Sequence, residues 1–234
     1  MSFGMVAASY VGVVQVTPAD VPGLALWLKA DTITGLSDGA NVTSWQDTTN
    51  SLTALPPSTP PTFAANSAPS GLSSVRFATS GTPLQVGSTA TPTDTLTYVV
   101  VAKLDALLAE AVLIGAFQNG AFYAAMRNSS MASVAPGVAW FPDGPAGAVD
   151  TNWHVYVWTY DNASDTITYT VDAAASSVTT AVGPMVSDVY FIGQALSGWG
   201  AFGGTIAEIA TYGRVLSPTE INTLTAGLAD KWGL

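Results

Sequence analysis

Short runs of β-branched and aromatic residues recur along the chain between clusters of Gly, Pro, Asn and Asp. That is the pattern of an antiparallel sandwich or barrel and not of βαβ units. The alternation is cleanest over Thr166–Asp172, where Ile167, Tyr169 and Val171 alternate with Thr and Asp. A strand with one buried and one wet face is predicted there. In the preceding segment, Trp153, Val155 and Val157 fall on one side while His154, Tyr156, Trp158 and Tyr160 fall on the other, so both faces are apolar. The turn-forming run Asp161–Asp165 joins the two segments as a hairpin. Further strands are predicted over 25–29, 74–77, 96–103, 112–116, 122–127, 137–141, 189–192 and 205–212.

The proline-rich stretch Thr53–Pro69 predicts an irregular connection, because proline cannot donate to a sheet ladder. Too few strands precede it to form a separate core, so a single domain is expected. One helix is predicted, at the end. Ser217 is its cap, Pro218 its first residue and Glu220 the reciprocal capping partner, and Ile221, Leu224, Leu228 and Trp232 form one apolar stripe. Its expected place is over an end or edge of the sandwich. The fold class read from these patterns is all-β, a two-sheet antiparallel sandwich with a short C-terminal helix.

Composition narrows the function. A chain of 234 residues can bury a large core, and it contains no cysteine, so a disulfide framework and a thiolate metal site are both excluded. Six Lys and Arg stand against sixteen Asp and Glu, a net charge of −10. Nucleic-acid binding depends on clustered cations, so it is not expected. No uninterrupted apolar run reaches the ~20 residues of a membrane-spanning helix. Met1–Thr17 is apolar but lacks the basic start of a secretory signal. Its Phe3, Met5, Val6, Tyr10, Val11, Val13 and Val14 would be left in water by an isolated domain. Residues 1–17 therefore read as an assembly arm for a partner surface, or alternatively as an extra edge strand of the domain over 18–234.

Several segments resemble the laminin G-like branch of the concanavalin A-like lectin and glucanase superfamily. They are Leu24–Asp31 with Val42–Asp47, then Ser74–Phe77, Trp153–Asp161 and Thr170–Asp172, and finally Phe202–Tyr212, Arg214–Glu220 and Leu228–Leu234. The resemblance implies a jelly roll and places Phe202 in its core. It leaves function open, because this fold hosts lectins, hydrolases and structural modules alike. The opening Met1–Val11 is similar to the starts of minor tail proteins of phages that infect actinobacteria. That similarity implies a virion protein whose partners are other virion subunits and, at the host surface, a glycan. A capsid decoration or head-fibre protein and an envelope-glycan hydrolase are the alternatives.

Glucanases of this superfamily carry a Glu-x-Asp-x-x-Glu strand that lines up nucleophile and acid. No such strand exists here, since Glu110, Glu208 and Glu220 are each isolated. Glu208, in a closing-strand segment, reads as a paired structural acid beside Arg214 or a backbone donor. His154 is the only histidine and has no Gly-x-Ser-x-Gly elbow to serve, so it reads as a packed strand residue. No catalytic residue and no cofactor are expected. Calcium is the one metal the resemblance leaves open, at the oxygen-rich loop of Asp161, Asn162 and Asp165, although turns favour the same residues. Trp140, Phe141 and Trp199 lie beside Gly and Pro, where exposed rings would suit a glycan or a partner. Trp27, between Leu26 and Leu28, reads as core.

Overall fold

The computed structural model describes residues 15–49, 52–87, 94–116, 122–134, 143–179, 190–195 and 200–234. After a 3₁₀ turn at Pro18–Asp20, the strands are β1 (Leu24–Lys29), β2 (Trp45–Gln46), β3 (Thr53–Leu55), β4 (Thr62–Ala64), β5 (Ser74–Phe77), β6 (Leu84–Val86) and β7 (Thr95–Leu104). There follow β8 (Ala111–Ala116), β9 (Tyr123–Arg127), β10 (Ser130–Val134), β11 (Trp153–Asp161), β12 (Thr166–Val171), β13 (Ala174–Thr179), β14 (Tyr190–Ile192) and β15 (Gly204–Tyr212). One helix, α1 (Pro218–Trp232), closes the chain.

An eight-stranded sheet runs β13-β12-β11-β7-β15-β5-β4, with β1 also on β15. A seven-stranded sheet runs β10-β9-β8-β14-β6-β3-β2, and every pairing in both sheets is antiparallel. The main core lies between the sheets and takes Tyr156, Trp158, Tyr160, Ile167 and Tyr169 from β11 and β12. A second apolar cluster lies on the opposite face of the larger sheet, where Val99, Val101, Val155 and Val157 meet Ile221, Leu224, Leu228 and Trp232. The two-faced apolar pattern of β11 thus has a structural cause: its strand is covered on both sides.

The helix covers this outer face and not an end or edge of the sandwich. Its start follows the predicted chemistry, with Ser217 accepting from the Glu220 N–H and Glu220 accepting from the Ser217 N–H, and Gly233 closes it in the left-handed region at φ 76°. The proline-rich connection also differs from expectation, because β3 and β4 lie within it. Both are edge-proximal strands of three residues that contain no proline: β3 ends just before Pro56 and β4 lies between Pro61 and Pro69. β10 and β13 were not legible as strands because Ser and Ala carry little hydrophobic signal. The strand expected over 137–141 and the arm residues Phe3, Met5, Val6, Tyr10, Val11, Val13 and Val14 lie outside the described residues.

The described end of the N-terminal segment is docked on the domain. Gln15 donates to the Gly227 carbonyl at 2.9 Å and to Asp230 at 3.1 Å, and Val16 packs against the second apolar cluster. A Cβ on Gly227 would lie 2.1 Å from the Val16 carbonyl oxygen, so the absence of a side chain there permits the contact.

Candidate functional site

Strand register brings distant residues into one row at an end of the larger sheet. Thr62 pairs with Arg76, Arg76 with Thr205, Thr205 with Lys103, and Lys103 with Trp153. Directly paired residues share a face, and Trp153 packs with the outer cluster, so the row lies on the helix-covered face of the sheet. The next row inward holds Val101 opposite Glu208, and Trp232 at the end of α1 bonds to Glu208. The row from Arg76 to Trp153 is therefore just past the end of the helix.

Arg76 leans toward the β7–β8 turn and donates to Asp105 at 2.6 Å, the two side chains being 55% and 40% exposed. Such a pair contributes only about 0–1 kcal/mol to folding, so its groups can be diverted to a ligand at little loss of stability. The pair borders an open cleft of about 340 Å³ whose walls include Pro61, Thr79, Leu108 and Gly203. The Asp105 N–H donates to the Gly203 carbonyl at 3.0 Å, which fixes the carboxylate at the rim. Among the described residues Lys103 makes no ion pair, whereas Arg127, Arg214 and Lys231 are bonded to Asp143, Glu220 and Glu208.

On the core-facing side of the same sheet end, His154 lies between two carboxylates. Its Nδ1 is 2.5 Å from Asp172 and its Nε2 2.9 Å from Asp150. The Asp172 hydrogen bond chiefly raises the His154 pKa; burial opposes it, and Asp150 adds to the rise. Asp150 is lowered, first by the Asn152 N–H and then by His154. Burial, and then the charges of Asp150 and Asp172, push the neighbouring Tyr156 hydroxyl far above its ordinary value, and that hydroxyl has no hydrogen-bond partner among the described residues. The histidine is an ion-paired residue of the sandwich rim, more polar in its setting than a packed strand residue. Both of its ring nitrogens are engaged by carboxylates.

Glu208 is 1% exposed and accepts from three donors: Trp27 Nε1 at 2.5 Å, Lys231 Nζ at 2.6 Å and Trp232 Nε1 at 2.8 Å. It is a paired structural acid, as expected, but its partners are these and not Arg214, which bonds to Glu220. The cause is a bulge between Ile206 and Glu208 in the β15–β7 register, which turns Ala207 and Glu208 to the helix side in succession. Trp27 is correspondingly not core. Leu26 and Leu28 face inward at 0% exposure, so the alternation sends Trp27 outward, half-buried, with Lys29 over its ring.

In the loop suggested for calcium, Asp161 accepts from the Ala163 N–H and the Ser164 hydroxyl, Asn162 donates to Asp94, and Asp165 takes a left-handed φ of 51°. These are the bonds of a hairpin turn, and among the described residues no group of three or more His, Cys, Asp or Glu is placed to hold a metal ion. Trp140, Phe141 and Trp199 lie outside the described residues. The segment bearing Trp199 resumes at Gly200, shortly before Gly203 in the cleft wall. Phe202 is fully buried against Phe77, as the family landmark implied. Arg76, Asp105 and Lys103 were missed by the sequence reading, since only long-range register joins them.

The family model described as the concanavalin A-like lectin/glucanases superfamily (Laminin_G_3) matches residues 78–222, and the chain belongs to this family. No curated protein matches the sequence. Among solved structures the chain is similar to the botulinum neurotoxin serotype D/C binding domain, at 10% identity and TM-score 0.66 over 91% of this chain and 53% of that one. It is similar to Trypanosoma rangeli sialidase in complex with sialic acid, at 16% identity and TM-score 0.58 over 90% of this chain and 33% of that one. It is also similar to the Ruminococcus gnavus IT-sialidase CBM40 bound to α2,3 sialyllactose, at 16% identity and TM-score 0.50 over 57% and 84%. The chain spans about half of the toxin domain and a third of the Trypanosoma sialidase. At these identities the likeness is one of fold.

Proposed function

We propose that this chain is a non-catalytic, glycan-binding structural component of a phage particle, of the minor tail class. The observation that carries the binding reading is the exposed Arg76–Asp105 pair at the rim of an open cleft, in a row with Lys103 and Trp153. A guanidinium and a carboxylate side by side can grip vicinal hydroxyls or a carboxylate, and an aromatic ring offers a sugar face a platform. Two of the solved structures with this fold hold sialic acid or sialyllactose. The commitment of Glu208 to three donors, and of His154 to two carboxylates, supports binding without hydrolysis. The virion reading rests on the similarity of Met1–Val11 to phage tail proteins, and localisation of the chain in a particle reconstruction tests it.

The binding reading is tested by titrating host envelope glycans against the protein and against Arg76→Ala. Loss of a charge-assisted contact should weaken binding by about tenfold or more, with the thermal midpoint nearly unchanged. Equal binding by the folded variant would remove the cleft, leaving Trp140, Phe141 and Trp199 as the remaining glycan contacts.

A further inference from the structure

The two sheets treat their edges unequally. Beyond β4, the Gly39 and Phe63 N–H groups exchange bonds with the Phe63 and Ala40 carbonyls at 2.8 Å each, and Val42 donates to Pro61. Beyond β1, Leu28 bridges Asp47 and the Thr48 N–H donates to Trp27. That same Asp47 follows β2 and so closes its end of the smaller sheet. Beyond β10, the carbonyls of Ser129, Met131 and Ala132 accept from Val149, Gly144 and the Trp158 indole. β13 is the exception: among the described residues no backbone group bonds to its outer side.

β13 also lacks the usual protection of an edge. Its sequence Ala-Ala-Ser-Ser-Val-Thr has no charge and no proline, and its residues are exposed or half-buried throughout. Asp172 and Ala173, at φ 47° and 72°, make the two-residue turn that holds it in register on β12. Its near end borders an apolar groove of about 300 Å³, lined by Met131, Pro145, Ala148, Tyr169, Val171 and Ser176. A strand added to β13 would send alternate side chains into that groove.

We propose that the occupant of this edge is the N-terminal segment of a neighbouring copy of this chain, with Tyr10–Val14 as the pairing strand. The inference rests on the reading of the N-terminal segment as an assembly element. Tyr10-Val-Gly-Val-Val14 is rich in strand-forming residues and uncharged, so two molecules of net charge −10 meet there without apposing a charge. Geometry favours a second copy over the chain's own segment. Gln15 is pinned at Gly227 and lines a cavity with Trp27 and Glu208, on the β1–β15 side of the sheet. β13 lies four strands from β15, about 19 Å at ~4.8 Å per strand. Tyr10–Val14 extends only about 16 Å at ~3.3 Å per residue, so within one molecule these residues would be used up in the crossing. A neighbour's segment has no such crossing to make.

Because the chain has no cysteine, two full-length single variants give a direct test. Val13→Cys and Ala175→Cys are mixed under mild oxidation, and the disulfide species are separated by mass. The expected result is a mixed dimer in excess over either homodimer, and its loss when Ser176→Lys is added to the Ala175→Cys chain. Absence of the mixed dimer, with both variants folded by circular dichroism, overturns the proposal. A dominant Ala175→Cys homodimer also overturns it, by showing edge-to-edge pairing of β13 instead. Failure of the broader assembly reading is seen separately: a chain lacking residues 2–14 would still enter particles. If that chain fails to enter particles while the mixed dimer is absent, the segment assembles on another surface and the β13 proposal alone falls.

Discussion

His154 is held through both ring nitrogens, and the arrangement is complete only when the ring is protonated and can donate to Asp172 and Asp150 together. Its folded pKa is raised, so the stability it supplies is fully present below the unfolded histidine value of about 6.5 and is lost as pH rises through the folded value. Asp150 behaves oppositely. Its lowered pKa supplies stability above the unfolded aspartate value of about 3.9, lost as pH falls through the folded value. The thermal midpoint should therefore peak between those two unfolded values and decline on the alkaline side as His154 deprotonates. In His154→Gln the alkaline decline should flatten; an unchanged profile would show that the ring bonds do not contribute. The pairing with Asp172 was within reach of the sequence, since hairpin register sets His154 near the end of β12. The role of Asp150 was not, because it depends on how the turn before β11 folds back.

At the scale of elements, α1 was legible to the residue at its cap and stripe, because capping chemistry is local. Its packing face was less so: only the apolar outer side of β7 and β11 shows what the stripe meets. Long alternating strands such as β11 and β12 were legible for the same local reason. β3, β4, β10 and β13 were not, since three-residue strands and Ser/Ala runs owe their pairing to neighbours distant in sequence. The bulge in β15 shows the limit most clearly, as strict alternation would have put Glu208 in the inter-sheet core. Gly227 offers a test of how the N-terminal segment is held. Alanine there should gain about 1 kcal/mol of helix propensity, yet its Cβ would displace the Val16 carbonyl. In Gly227→Ala the helix should persist by circular dichroism while hydrogen exchange at Val16 and Thr17 accelerates. Unchanged protection at both amides would show that the close approach is not required for docking.

For the whole molecule, charge and shape divide the surface by task. The polar end of the larger sheet gathers Arg76, Lys103, Asp105 and Trp153 in an otherwise strongly acidic protein, while the rest of that same face is covered by the helix. The fold class was legible from pattern and family landmarks alone. The row was invisible, because residues 76, 103, 153 and 205 become neighbours only once four strands are in register.

The edge at β13, open among the described residues, has a further consequence for how copies could add to one another. With one strand to give and one edge to receive it, each copy is a bifunctional monomer in the polymer chemist's sense, and growth through this contact is directional. Copies lacking residues 2–14 keep the receiving edge but have nothing to donate, which makes them chain terminators. Added at a minority fraction to intact protein, they should shorten the distribution of assemblies seen by native mass spectrometry in proportion to their share, whereas copies carrying Ser176→Lys should cap growth from the other end.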